Sequence, residues 1–292
     1  SNGGNFGSGT NTLTIGGKDT DFEFKGSING SNVVKNGAGV WTISSEDVLA
    51  NAKSLKIVDG AVKLNKAAAT SSMTTSTILY VQDAGELRGV GYAYGINLLN
   101  GGGLRPGTNK PASQTNNTGV IFIQKNLNAE VGSGIYVNKA KADSLVVNSY
   151  TGSKSLGWAY LKVGGNAILN GTIYVTYNEN GWKPAEGDYV RVLDCAGTIS
   201  GTPTFNLQAL PDGLGWDTSK FLTEGVVYVA NATGIREIGF DAGSFQAEVY
   251  TLNGFRMTSL QTSMATLQSD LKSRGLAPGL YIVRTAKGTV KV

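Results

Sequence analysis

Asp19, Asp21 and Glu23 alternate with Thr20 and Phe22, so on an extended segment their carboxylates project from one side while Phe22 and Phe24 enter the other. Hard oxygen donors grouped in this way suit Ca²⁺, or one half of a general acid–base pair. The other acids are scattered, as at Glu86, Glu130, Glu179, Glu186 and Asp188, and no second cluster completes a hydrolytic site. A lyase using a Lys or Arg base with Asp-bound calcium would need such a cluster on one surface. Histidine is absent, which removes Ser-His-Asp and Cys-His nucleophiles and His-ligated metals. The single cysteine, Cys195, forms neither an internal disulfide nor a zinc site and reads as a small buried hydrophobe.

Aromatic side chains offer a different chemistry. Tyr92, Tyr94, Trp158, Tyr160, Tyr174, Tyr177 and Trp182 stand among Asn, Ser, Thr and Gly; aromatic faces stack on sugar rings while such neighbours hydrogen-bond the hydroxyls. These seven are the candidate carbohydrate contacts, whereas Trp41 and Trp216 read as core. The glycines Gly89, Gly91 and Gly101 to Gly103 lack the following helix and Lys-Ser/Thr of a phosphate loop.

The elements that must hold these residues are short. The 292 residues include 41 glycines, with 16% charged and 40% hydrophobic residues, too apolar for disorder and too rich in turn formers for long amphipathic helices. Apolar runs of four to six residues, such as Val40 to Ile43, Ser54 to Val58, Ala61 to Leu64, Ser144 to Val147 and Thr172 to Tyr177, are separated by Asn36-Gly37, Asp59-Gly60, Asn100-Gly101 and Asn170-Gly171, where positive φ costs little. An all-β chain with strands this short fits a solenoid better than a sandwich. No apolar run is long enough to span a membrane. The formal charge of +4 would favour acidic partners if the basic residues shared a surface. Lys53, Lys56, Lys63 and Lys139 instead lie between apolar positions, the pattern of a solvated face and not of a nucleic-acid patch.

Lys35-Asn36-Gly37-Ala38-Gly39, Val40-Trp41-Thr42-Ile43, Leu55-Lys56-Ile57 and Asp59-Gly60-Ala61-Val62-Lys63-Leu64 together resemble the autotransporter-associated β-strand repeat. A weaker echo runs through Gly164 to Val175, and Gly187 to Val229 resembles the ending of passenger solenoids of that kind. The resemblance implies a right-handed parallel β-helix over residues 1–229. After a linker at 230–245, Ala247 to Arg256, Leu276 to Arg284 and Gly288 to Val292 resemble the type A C-terminal sorting domain of type IX secretion substrates, so 246–292 reads as a small sorting-like domain. It departs from that pattern between Ser259 and Arg274, where Leu260, Met264, Leu267 and Leu271 fall at helical spacing and Gly275 suits a C-terminal stop.

Two functions remain in view. One is a secreted or cell-surface, adhesin-like, non-enzymatic module that contacts polysaccharide or a host or cell-surface glycan. The other is a carbohydrate-active β-helix enzyme, lyase or hydrolase, or its accessory module. The resemblances imply an extracellular or outer-surface location, with outer-membrane secretion machinery as a partner of the tail. Nucleic acid is not an expected partner, and calcium at Asp19, Asp21 and Glu23 is the one cofactor suggested.

Overall fold

The computed structural model describes residues 11–24, 26–45, 48–49, 51–65, 77–107, 119–140, 158–231, 244–251, 254–263, 266–277, 281–285 and 288–291. The strand expected at Ser144 to Val147, Met264 and most of the linker lie outside them. The chain divides into two compact units, one of Ser1–Leu210 with Trp216–Val229 and one of Pro211–Gly215 with Ala230–Val292.

In the first unit the described residues are mostly β, and most of the strands stack in parallel, each pairing with its counterpart one circuit later. Thr12–Ile15 pairs with Asn32–Lys35, which pairs with the first half of Ser54–Asn65, and the series continues through Ile78–Ala93, Gly95–Leu98, Leu127–Ala129, Ala167–Leu169 and Ile199–Ser200. A second series joins Phe22–Glu23, Val40–Ile43, Ser54–Asn65, Ile78–Ala93, Gly103–Pro106, Gly134–Lys139, Thr172–Tyr177 and Thr204–Leu207. A third begins at Gly91 to Ala93 and runs through Gly119–Ile123, Ala159–Val163 and Leu193–Cys195. The arrangement is a parallel, solenoid-like stack.

Alternation decides which side chains enter it. Leu55, Leu79, Ile96, Leu127 and Ala167 lie in one column, each at most 1% exposed. Burying such aliphatic side chains contributes about 1.5–3 kcal/mol for each large one. The corners between series are set by close backbone approach. A Cβ on Gly60, whose φ is +63°, would lie 2.4 Å from the Gly37 carbonyl oxygen one coil away, and Gly39 has Thr20 O at 2.2 Å. Asparagines tie other corners together: Asn126 Oδ1 accepts from Asn166 N–H at 2.9 Å, and Asn166 Oδ1 from Thr198 N–H at 3.0 Å. Inside one corner Lys35, fully buried, donates to the carbonyls of Gly37 at 2.6 Å and Asp59 at 3.1 Å. Burial lowers the pKa of this amine, against the pull of Asp59, Asp19 and Asp21.

Strand length differs from the sequence expectation. Ser54–Asn65 and Ile78–Ala93 are 12 and 16 residues long, because the corner near Asp59-Gly60 is absorbed as a register shift and does not end the pairing. The last coil is closed differently: Tyr189–Arg191 pairs antiparallel with Val226–Asn231, and the short helix Phe221–Glu224 sets Phe221 edge-on against Phe205 at 5.0 Å.

The second unit holds an antiparallel sheet in the order Arg256–Thr262, Phe245–Tyr250, Ile282–Thr285, Gly288–Lys291. The helix Leu267–Ser273 contributes Leu267 and Leu271 to a core with Ala247, Val249, Leu260 and Val283. The helical spacing from Ser259 is therefore only half realised: Leu260 sits on a strand, since Arg256–Thr262 finds backbone partners in Phe245–Tyr250. The helix ends where Gly275 and Leu276 donate back to Lys272 and Leu271 at 3.0 and 3.2 Å, with Gly275 at φ +75°.

Candidate ligand-binding face

Along the second series, one register position faces outward: Thr42, Lys63, Arg88, Arg105, Tyr136 and Tyr174. Buried Val62 and Leu64 flank Lys63, while Leu87, Leu104, Ile135 and Ile173 precede the four that follow. Parallel register carries the row from Glu23 through Thr42, Lys63, Arg88 and Arg105, then from Tyr136 through Tyr174 to Asn206. Neighbouring members of such a row are ~4.8 Å apart.

The centre of this row is preorganised. Glu86 Oε1 accepts from Arg105 Nε at 3.2 Å and lies 3.7 Å from an Arg88 guanidinium nitrogen. The Arg105 guanidinium carbon is 4.1 Å from the Tyr136 ring centre, and Tyr136 stacks on Tyr174 at 4.4 Å with 10° between planes. Gly134 leaves room beneath this stack: a Cβ there would meet the Tyr136 hydroxyl and ring at 2.7 to 2.8 Å, so the ring would have to shift. Burial, then proximity to Tyr174, holds the Tyr136 phenol above its ordinary pKa. The Arg88 Nε is buried with no hydrogen-bond partner.

The seven aromatic candidates fall into separate places. Tyr174 belongs to the row just described. Tyr92 stacks on Phe122 at 4.9 Å on the third series, where Lys162 Nζ lies 5.2 Å from the Phe122 ring and 3.9 Å from Asp194. Tyr160 lies on the same series beside Trp158, at 6.3 Å, and its hydroxyl pKa is raised by burial and then by Asp194. Tyr94 has Lys125 Nζ at 5.9 Å.

Trp158, Tyr177 and Trp182 are buried at 6%, 2% and 3% exposure, so these three do not offer open faces. They gather near Lys139. Its ammonium lies 4.6 Å from Trp182, 5.3 Å from Tyr189 and 5.8 Å from Trp158, and donates to the Tyr189 carbonyl at 2.7 Å. The reading of Lys139 as solvated is thus overturned: it is 3% exposed, held by ring faces and a carbonyl. Tyr177 meets Trp182 edge-on at 5.4 Å and donates to the Ala209 carbonyl.

The acidic trio is divided as well. Only Phe22–Glu23 forms a strand, and Asp19 has φ +56°, so the three carboxylates do not share an extended segment. Asp19 Oδ1 accepts from Ala38 N–H at 2.7 Å and Asp21 Oδ1 from Val40 N–H at 2.9 Å; both bind the corner of the next coil. Glu23 is exposed at the start of the outward row. Among the described residues no group of three His, Cys, Asp or Glu side chains is placed to hold a metal ion. Cys195, half-buried, donates to the Gly165 carbonyl at 3.1 Å.

Sequence reading missed Lys63, Glu86, Arg88, Arg105 and Tyr136 as a set, since their shared face depends on coil register. A signal that finds part of the set is strand position: Arg105 and Tyr136 are each the third residue of a short strand that follows a glycine-rich turn. Compared with known proteins, the chain matches no protein-family profile and no curated protein. Among the described residues no helix is long and apolar enough to cross a membrane.

Proposed function

We propose that the chain is a secreted or cell-surface, adhesin-like and non-enzymatic module whose first unit, a right-handed parallel β-helix, contacts polysaccharide along an outer face. The parallel pairing supports the β-helix, and the strong right-handed preference of parallel crossovers supports its hand. The observation that carries the functional reading is the outward row in which Arg105, Tyr136 and Tyr174 stack on one another. A rigid row of polar-edged side chains adds many weak contacts along an extended ligand without a deep pocket. Glycoside hydrolysis, by contrast, calls for a pair of carboxylates flanking the scissile bond. At the centre of the row the carboxylate is Glu86, and it is engaged by two arginines. The sorting-like tail favours an exported protein delivered by outer-membrane secretion machinery.

Glycan-array screening of the intact chain tests this reading. Retention of a polysaccharide is expected, weakened by Tyr174→Ala with the fold intact. Absence of binding to every glycan, or turnover of a bound one, would overturn it.

A further inference from the structure

The second series concentrates charge in a way its fold does not require. Lys63, Arg88 and Arg105 occupy consecutive coils of one outward column, and like charges directly opposite one another on paired strands are destabilising. Glu86 answers part of this charge by engaging both arginines. Glu23 stands two coils from Lys63, beyond Thr42. The arginine side chains are only 20% and 12% exposed, so their charges are partly withdrawn from water. A half-satisfied polar network of this kind is costly in the isolated protein, and the Arg88 Nε without a partner marks it as such.

We infer that this column binds an anionic polysaccharide lying across the strands, with carboxylate or sulfate groups opposite Lys63, Arg88 and Arg105 and sugar hydroxyls opposite Tyr136 and Tyr174. The assignment deepens the glycan-contacting reading and rests on it. The coil rise of ~4.8 Å is comparable to the length of one pyranose unit, so successive cations address successive sugars. Single-stranded nucleic acid fits the column less well. It binds by stacking bases on free aromatic faces, whereas Tyr136 lies between Arg105 and Tyr174 and offers neither face.

The test is affinity electrophoresis of the intact chain in gels containing polygalacturonate, its methyl ester as the neutral counterpart, a sulfated dextran or single-stranded DNA, at low and high salt. The acidic polymers are expected to retard the chain in a salt-sensitive manner, the ester and the DNA much less. Lys63→Gln with Arg105→Gln should weaken binding about tenfold or more, as expected for two lost charge contacts. Lys162→Gln, on the third series, should leave it unchanged. Lys63→Gln alone, at an outward position, serves if the double variant melts early, and should give a smaller loss. Equal retardation by the neutral ester, or variants without effect, would overturn the anionic assignment while leaving glycan contact standing. Failure to bind any polysaccharide would overturn both readings, and preference for DNA would replace the ligand class.

Discussion

Lys139 places its ammonium 4.6 Å from the centre of the Trp182 ring while donating at 2.7 Å to the Tyr189 carbonyl. A residue expected from sequence to touch ligand thus closes over a buried cation within the fold. Trp182→Ala should destabilise the first unit by about 3–5 kcal/mol, the range for deleting a buried large aromatic. Denaturant unfolding measures this, and polysaccharide binding by the remaining folded fraction should be unaltered.

The corners make a second, purely steric prediction. Gly39→Ala would put a Cβ 2.2 Å from Thr20 O, whereas a Cβ on Gly17 meets nothing within 4 Å. The first substitution should cost about 1–3 kcal/mol and the second should be neutral or slightly stabilising. Equal melting temperatures for the two variants would refute the close stacking of the first coils.

Asp21 provides a third. Because its carboxylate serves the Val40 amide, Asp21→Ala should lower stability by about 1 kcal/mol, by the same amount in calcium and in chelator. A loss seen only with calcium would return the acidic segment to metal binding.

Stability should also fall at alkaline pH. The Tyr136, Tyr160 and Tyr177 phenols all have pKa values raised first by burial, so the folded chain keeps protons that the unfolded chain releases near pH ~10. The unfolded state then binds fewer protons, and stability declines as pH rises from the unfolded pKa through the raised folded values. Tyrosinate absorbance during alkaline titration should show a delayed group of phenols that titrates with unfolding.

In the second unit the sign is opposite. The Thr262 hydroxyl donates to Asp270 at 2.6 Å and, with Thr266, holds that carboxyl below its usual pKa. Its stabilising effect is present above the unfolded pKa of ~3.9 and is lost as pH falls through the lower folded value. Thr262→Val should reduce the acid dependence of the helix signal, followed by circular dichroism.

The fold was legible where local chemistry dictates geometry. Asn-Gly and Asp-Gly pairs announce corners because glycine accepts positive φ, as Gly37 and Gly60 do, and alternation told Leu64 from Lys63. Less legible was whatever depends on matching one circuit with the next. Arg88 and Arg105 are partners through circuits of unequal length, and Tyr136 gained its place only once Gly134 left room for its ring. The same dependence divides the aromatic candidates: Trp158, Tyr177 and Trp182 resemble Tyr92 in composition of neighbourhood, yet all three are buried, Trp158 and Trp182 beside Lys139 and Tyr177 edge-on against Trp182.

The antiparallel pair Tyr189–Arg191 and Val226–Asn231, with Phe221 set against Phe205, has a further consequence for behaviour at high concentration. Exposed parallel edges invite recruitment of another copy and fibre growth. Here the antiparallel pair belongs to a sheet separate from the stack, so it is Phe221, set edge-on against Phe205 of the last second-series strand, that a further copy would have to displace on that side.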